Sequence, residues 1–319
     1  ASFGFCFGGI LEFKRQAAWA DIIHYHFPWP FADLMHMLVR PGKPSVLTYH
    51  SDIVRQKTLQ ILYKPLMDRF LAQVTRIVAT SPNYYATSDV LSRFSEKVDV
   101  IPIGIEEDSY PSLRANPVAL EAARSEYGEG FFLFVGVLRY YKGLHILLDA
   151  IKDANYKVVI VGSGPVEQEL RQQAQELGLE NVVFGGYVTD DIKMALFELS
   201  RGVVFPSYLR SEAFGVTLLE GAMSSKPLIS AEVGSGTSHI NIHEHTGLVV
   251  TPGCPQSLRE AMDQLYYNPN RAVEMGAHAR LRYEELFTGK TMGVQYVEVY
   301  RQLLMESSAT VDFSNAHSR

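Results

Sequence analysis

The residues most able to do chemistry are two carboxylates in Ser211-Glu212-Ala213-Phe214-Gly215-Val216-Thr217-Leu218-Leu219-Glu220. An apolar run closes at Phe205 and Pro206 ahead of them, and a helix-like pattern follows from Val216 to Met223. Pro206 to Gly215 therefore reads as a strand-to-helix loop, with Glu212 at its mouth and Glu220 inside the helix. That spacing can set one carboxylate against a sugar and the other against a ribose, whose paired hydroxyls suit an acidic acceptor. A second turn, Gly136-Val137-Leu138-Arg139-Tyr140-Tyr141-Lys142-Gly143, supplies two cations and ends at a helix N-terminus. The helix dipole there also favours an anion. Val161-Gly162-Ser163-Gly164-Pro165 and Gly185-Gly186-Tyr187-Val188 are further strand-glycine turns. The first reads as packing; at the second, Gly186 permits close backbone approach and Tyr187 offers an aromatic face.

These loops need a scaffold, and the hydrophobic pattern supplies one. Short β-rich runs at Asp21–His26, Ser45–Tyr49, Arg76–Ala79 and Val98–Ile101 alternate with helices near Pro30–Leu38, Gln56–Leu71 and Pro82–Arg93. Such alternation implies a parallel, doubly wound α/β sheet. Pro102 to Asp108 carries a proline, a glycine and three acids, which is linker chemistry. A second alternating series opens at Phe131–Gly136 and continues through Lys157–Val161, Val182–Phe184, Gly202–Phe205, Pro227–Ser230 and Gly247–Val250. A last helix is expected over Gly293–Met305, and the polar stretch after Ser307 reads as a disordered tail.

Composition bounds the class. The 319 residues are 47% hydrophobic and 20% charged, enough for two domains of a globular protein. A net charge of -6 argues against a nucleic-acid partner. Lys57, Lys64, Arg69 and Arg76 fall in one helical stretch, a basic face that could meet an anionic membrane or simply be solvated. Cys6 and Cys254 are far apart and outside any zinc-like spacing, so a reducing compartment fits better than a disulfide framework. No run is long enough to span a bilayer, and the start lacks a signal-peptide layout. The reading is cytoplasmic, resting on the membrane at most. No His/Asp cluster has metal-ligand spacing, and no cofactor motif is present, so the cations would do a metal's work.

The chain resembles the retaining glycosyltransferases of glycosyltransferase family 4. Their E-x-F-G-x-x-x-x-E signature is matched from Glu212 to Glu220, and Gly136–Gly143 looks like their G-x-L-x-x-x-K-G element. The resemblance implies an α/β GT-B fold: two facing Rossmann-like domains with parallel sheets and a ligand cleft. The expected divisions are an acceptor-side domain over 1–108, a nucleotide-sugar domain over 109–290, a returning helix over 291–306 and the tail over 307–319. It implies that Lys142 holds the donor diphosphate. The family's arginine directly follows the first glycine, where Val137 stands here, and Arg139 lies two residues on. It further implies that Glu212 touches the donor sugar, Glu220 the ribose, and Gly186 and Tyr187 the base. Phe214, Gly215 and Val216 would bind the donor beside Glu212, largely through backbone amides, with Gly234–Thr237 nearby.

In the N-terminal half, His50 matches the family histidine that contacts the donor sugar, making His50 and Glu212 the catalytic pair. Asp52 and Arg55 lie beyond it on the same loop, as candidates for the acceptor. His24 and His26 flank Tyr25; His26 reads as an acceptor-side cleft residue and His24 as core. Tyr-His-Ser-Asp-Ile-Val-Arg-Gln and Ala-Thr-Ser-Pro-Asn-Tyr, between Thr48 and Tyr84, look most like bacterial mannosyl- and rhamnosyltransferases of polysaccharide assembly. The implied reaction moves mannose or rhamnose from a GDP-linked donor to a glycan or lipid-linked oligosaccharide, with closure about the 102–108 linker excluding water. The strand at Asp21 is reached with almost no structure before it, where the family has two earlier β-α units, so the N-terminal domain reads as incomplete. Two other classes stay open: a nucleotide-sugar-binding fragment without transfer, and a GT-B epimerase.

Overall fold

Strands apolar on both faces must be covered on both faces, and this chain solves the problem twice. A computed structural model describes residues 7–53, 57–112 and 116–316, and Arg55 lies outside them. The chain divides into two compact units, Ala1–Pro102 with Met292–Arg319, and Ile103–Thr291.

The first unit runs α1 (Phe7–Trp19), β1 (Ile23–Phe27), α2 (Pro30–Val39), β2 (Ser45–Tyr49), α3 (Lys57–Gln73), β3 (Arg76–Ala79), α4 (Pro82–Thr87) and β4 (Val98–Val100). Its sheet is parallel in the order β1-β2-β3-β4. Helix α1 corrects the expectation of almost no structure ahead of β1. Gly8 and Gly9 weaken its helical signal, but Ala17 is buried and Phe13 meets the Tyr25 ring at 6.2 Å. Ser81 caps α4 by accepting from the Tyr84 N–H at 3.1 Å, and Pro82 starts the helix. That helix stops at Thr87, earlier than the Arg93 expected, with a short 3-10 stretch following at Leu91–Lys97.

The second unit runs α5 (Pro117–Tyr127), β5 (Phe132–Val135), α6 (Leu144–Ala150), β6 (Val158–Val161), α7 (Glu167–Glu176), β7 (Val182–Gly186), α8 (Asp190–Leu199), β8 (Gly202–Phe205), α9 (Val216–Met223), β9 (Leu228–Ala231), α10 (Thr237–Ile240), β10 (Gly247–Val250), α11 (Pro255–Tyr267) and α12 (Pro269–Leu286). The sheet order is β10-β9-β8-β5-β6-β7, all parallel. Successive strand residues feed opposite cores. Phe132, Phe134 and Ile160 pack with α6 and α11, while Leu133, Val159 and Val203 pack with α8, α9 and α12. The strand order reverses between β5 and β8. In an open parallel sheet that switch point leaves a crevice beyond the carboxyl ends of the two strands, where ligands bind.

The last helix, α13, spans Gly289–Ala316. It is longer than the Gly293–Met305 expected, and the stretch read as disordered continues it. No glycine or proline between Ser307 and Ala316 breaks it. Val299 and Leu303 of α13 pack on Val46, Val78 and Ile101 of the first unit. Full burial of such side chains contributes roughly 1.5–3 kcal/mol each. Among the described residues no helix is long and apolar enough to cross a membrane.

Asp33, in the first turn of α2, is 1% exposed and accepts a hydrogen bond from Tyr63 of α3. Burial raises its carboxyl to about 7, against the lowering by Tyr63 and by its own backbone. Because the folded value lies above the unfolded one, this stabilising contribution is complete below about pH 4 and is lost as pH rises through 7. The urea midpoint is expected to fall between pH 5 and pH 8, and Asp33→Asn to flatten that fall. An unchanged pH slope in the variant would show that Asp33 does not titrate in this way.

Candidate functional site

Lys142 and Glu212 sit on the two loops that leave the switch point, after β5 and after β8. The loops are tied together: the Tyr208 N–H donates to the Tyr141 carbonyl at 3.1 Å. Gly143 has φ of +70° and ends the first loop against the second. A side chain there would collide with the Pro206 carbonyl oxygen. Gly143→Ala therefore meets both a disfavoured backbone and a clash, and should cost about 2–4 kcal/mol of stability. Chemical denaturation checks this, and a midpoint within error of wild type would refute it.

Within this frame the Lys142 ammonium donates to Glu212 Oε2 at 2.5 Å. Ser207 Oγ donates to the same oxygen at 3.1 Å. The Lys142 and Glu212 side chains keep only 12% and 10% of their exposure. The ammonium also lies 4.5 Å from the centroid of the Phe205 ring. Such a buried pair is held by geometry, and each partner would be costly alone. Arg139 is exposed on the same loop, and Val137 is 52% exposed where the family arginine would stand.

Glu212 leads into α9. Gly215 adopts φ of +96° and precedes the helix without a side-chain cap, leaving the first N–H groups of α9 for an anion. Thr217 Oγ1 donates to the Val135 carbonyl at 3.1 Å and fixes that helix start against the end of β5. Phe214 is 4% exposed and points into the core, so its contribution to a ligand is limited to backbone; Val216 is 42% exposed. Behind the loop, the Gly236 N–H donates to the Ala213 carbonyl and Arg210 to the Gly234 carbonyl, so Gly234–Thr237 acts as a brace. Gly162 and Gly164 pack so closely on Gly136 and Leu138 that neither admits a side chain, which agrees with a packing role.

Glu220, on α9, is 7% exposed. Lys193 of α8 donates to its Oε1 at 3.0 Å and to Asp190 Oδ1 at 2.9 Å. Burial opposes the Lys193 charge, but the two carboxylates overcome it and raise the ammonium above the ordinary lysine value. The Tyr110 ring lies 5.2 Å from that ammonium, and its hydroxyl, also bonded to Glu220, is pushed up by burial and then by the Glu220 charge. Gly186 at the end of β7 has φ of +62° with open space around it, and Tyr187 is 87% exposed. The sequence reading missed Lys193, Tyr110 and Ser207. Only Ser207, beside the Phe205-Pro206 strand end, carried a local signal.

The first unit holds the other candidates. His24, His26, Thr48 and His50 fall on one face, because His26 pairs with Thr48 across the parallel ladder. The expectation of His24 as a core residue is corrected: its ring is half-buried and stacks on His26 at 4.9 Å. Asp52 lies in a hydrogen-bonded hub; its Oδ1 accepts from Tyr49 and Ser88, both at 2.8 Å. Its N–H donates to the Tyr84 hydroxyl. Arg55 lies outside the described residues. Among the described residues no group of three His, Cys, Asp or Glu could hold a metal ion.

Two parallel α/β units, one with a charged pair at its switch point, define a doubly wound α/β protein with a crevice suited to a ligand. Residues 120–282 match the family of glycosyl transferases group 1, and residues 2–109 match glycosyltransferase family 4. The chain is 57% identical over 288 residues to D-rhamnosyltransferase WbpZ of Pseudomonas aeruginosa, covering 90% of this chain and 75% of that protein. It is 50% identical over 308 residues to the O-antigen chain mannosyltransferase C of Escherichia coli, covering 97% and 82%. In fold it is similar to Anabaena Alr3699/HepE, solved in complex with UDP, with a TM-score of 0.75, 22% identity and coverage of 92% and 82%. The chain belongs to the group 1/family 4 glycosyltransferases, enzymes with the two α/β units of the GT-B fold.

Proposed function

We propose that this glycosyltransferase moves a D-rhamnosyl or mannosyl residue from its GDP-linked form to a lipid-linked glycan of a surface polysaccharide, with retention at the anomeric carbon. The observation that carries the sugar is the 57% and 50% identity to a D-rhamnosyltransferase and an O-antigen mannosyltransferase. The donor pocket of this reading is the β5/β8 switch point. The diphosphate lies on the α9 N-terminus and Lys142, the ribose on Glu220, and the base near Gly186 and Tyr187. Departure of GDP leaves an oxocarbenium-like centre. Lys142 offsets charge gathering on the leaving diphosphate and Glu212 holds the sugar hydroxyls; His50 is read as a sugar contact from its match to the family histidine. The acceptor hydroxyl attacks the face that GDP leaves and passes its proton to the departing diphosphate oxygen.

Contact with a membrane surface is a weaker part of the reading. Of the four cations on or near α3, Lys64 pairs with Asp68 at 2.7 Å and Arg76 with Glu306 at 3.0 Å, so two are already balanced. Transfer assays with radiolabelled GDP-D-rhamnose, GDP-mannose and UDP-glucose, with and without lipid-linked glycan, test the proposal. Acceptor-dependent incorporation from a GDP-sugar is expected. Acceptor-independent conversion of the nucleotide sugar would indicate an epimerase, and turnover of UDP-glucose alone would overturn the donor.

A further inference from the structure

The first unit contains an arrangement of imidazoles that the donor site does not explain. His26 Nδ1 lies 2.9 Å from His50 Nε2, and the two rings lie edge to edge and nearly coplanar, 5.2 Å between centroids and 14° between planes. His26 in turn stacks on His24 at 4.9 Å and 12°. Both nitrogens of His24 are engaged: Nδ1 by the Tyr300 hydroxyl at 2.6 Å, Nε2 by Thr48 Oγ1 at 2.8 Å. Thr48 Oγ1 also meets the Tyr296 hydroxyl at 2.6 Å. The base of the stack is thus pinned to α13, and His26 stands between it and His50.

A nitrogen–nitrogen contact of that length has one chemical solution, a single hydrogen between the rings. In a neutral imidazole one nitrogen donates and the other accepts, so the tautomer of His26 dictates that of His50. If His26 Nδ1 carries the hydrogen, His50 Nε2 accepts and His50 Nδ1 must be the protonated nitrogen. The reverse choice makes His50 Nδ1 an acceptor. Either way Nε2 is spent, and Nδ1 is the atom His50 has left for a ligand. Burial, and then His26, lowers the His50 pKa; burial, and then His26 and His50, lowers that of His24 to about 4. Among the described residues, the titratable groups in contact with the His26–His50 pair are His24 on β1 and, behind it, Tyr296 and Tyr300 of α13.

We propose that His26 is a positioning residue for His50, holding its ring, engaging Nε2 and coupling the two tautomers, so that one defined nitrogen, Nδ1, meets the donor sugar. This rests on the reading that His50 contacts that sugar, and it reassigns His26 from the acceptor to its neighbouring imidazole. Because His26 is exposed, its replacement should leave the fold intact.

The test uses the full chain with ring-15N-labelled histidine, comparing wild type with His26→Ala, His26→Asn and His50→Ala. Wild type is expected to show the His26 and His50 tautomers populated in step, hydrogen on His26 Nδ1 going with hydrogen on His50 Nδ1. His26→Ala should give a tautomer mixture, a His50 that titrates closer to the ordinary value, and about a ten-fold lower kcat with donor KM little changed. His26→Asn, whose short side chain places a polar atom where Nδ1 was, should recover most of both. An unchanged His50 tautomer in His26→Ala, with His50→Ala inactive, overturns the proposal alone. Full activity of His50→Ala would remove His50 from the reaction, and this proposal with it.

Discussion

Glu212→Gln is expected to slow hexose transfer by about two to three orders of magnitude while leaving GDP affinity unchanged or improved. Glu212 holds the Lys142 ammonium at 2.5 Å, the ammonium that the proposed donor site assigns to the diphosphate. On that proposal, carboxylate and diphosphate compete for one cation. Neutralising Glu212 removes the competitor, which favours GDP, and also removes the charge facing the departing sugar, which slows the chemistry. Glutamine keeps the shape and can still accept from Ser207, so this buried site should stay folded. Lys142→Met should do the opposite in binding: it weakens GDP about ten- to a hundred-fold, since a hydrogen bond to a charged group is worth about 1.5–3 kcal/mol. Calorimetry and initial rates on the same preparations separate the two. A Glu212→Gln enzyme that lost GDP affinity and kept its kcat would reverse the assigned roles.

The second large effect belongs to Glu220. Glu220→Ala should weaken GDP by about ten- to a hundred-fold and abolish discrimination between GDP and 2′-deoxy-GDP. Lys193 at 3.0 Å and the Tyr110 hydroxyl bond this carboxylate and hold it in place. Lys193→Met should therefore weaken GDP by less than Glu220→Ala, and Glu220→Ala/Lys193→Met by little more than Glu220→Ala, because Lys193 acts through Glu220. Retained discrimination against the deoxy compound in Glu220→Ala would move the ribose elsewhere.

The elements behind these effects differ in how far the amino-acid sequence reveals them. Lys142, Glu212 and Glu220 were legible because each lies in a strand-glycine-helix segment, where turn chemistry and hydrophobic period change within a few residues. The reversal of strand order between β5 and β8 was not legible, and it is what brings Lys142 and Glu212 together from 70 positions apart. Lys193 reads as an ordinary helix cation beside Asp190 until α8 and α9 are seen side by side. His26 and His50, 24 positions apart, meet only through the register that sets His26 opposite Thr48. The two misread ends, α1 and the last turns of α13, have weak local propensity that helix packing or uninterrupted hydrogen bonding overrides.

The central claim is that the β5/β8 switch point is the donor site, and the most direct measurement is a crystal structure with a non-transferable GDP-hexose bound. The account predicts the diphosphate on the first N–H groups of α9 and on Lys142, the ribose hydroxyls on Glu220, and the Lys142–Glu212 contact opened with Glu212 facing the hexose. A GDP-hexose bound away from these residues, or one that leaves the Lys142–Glu212 contact closed, would contradict it.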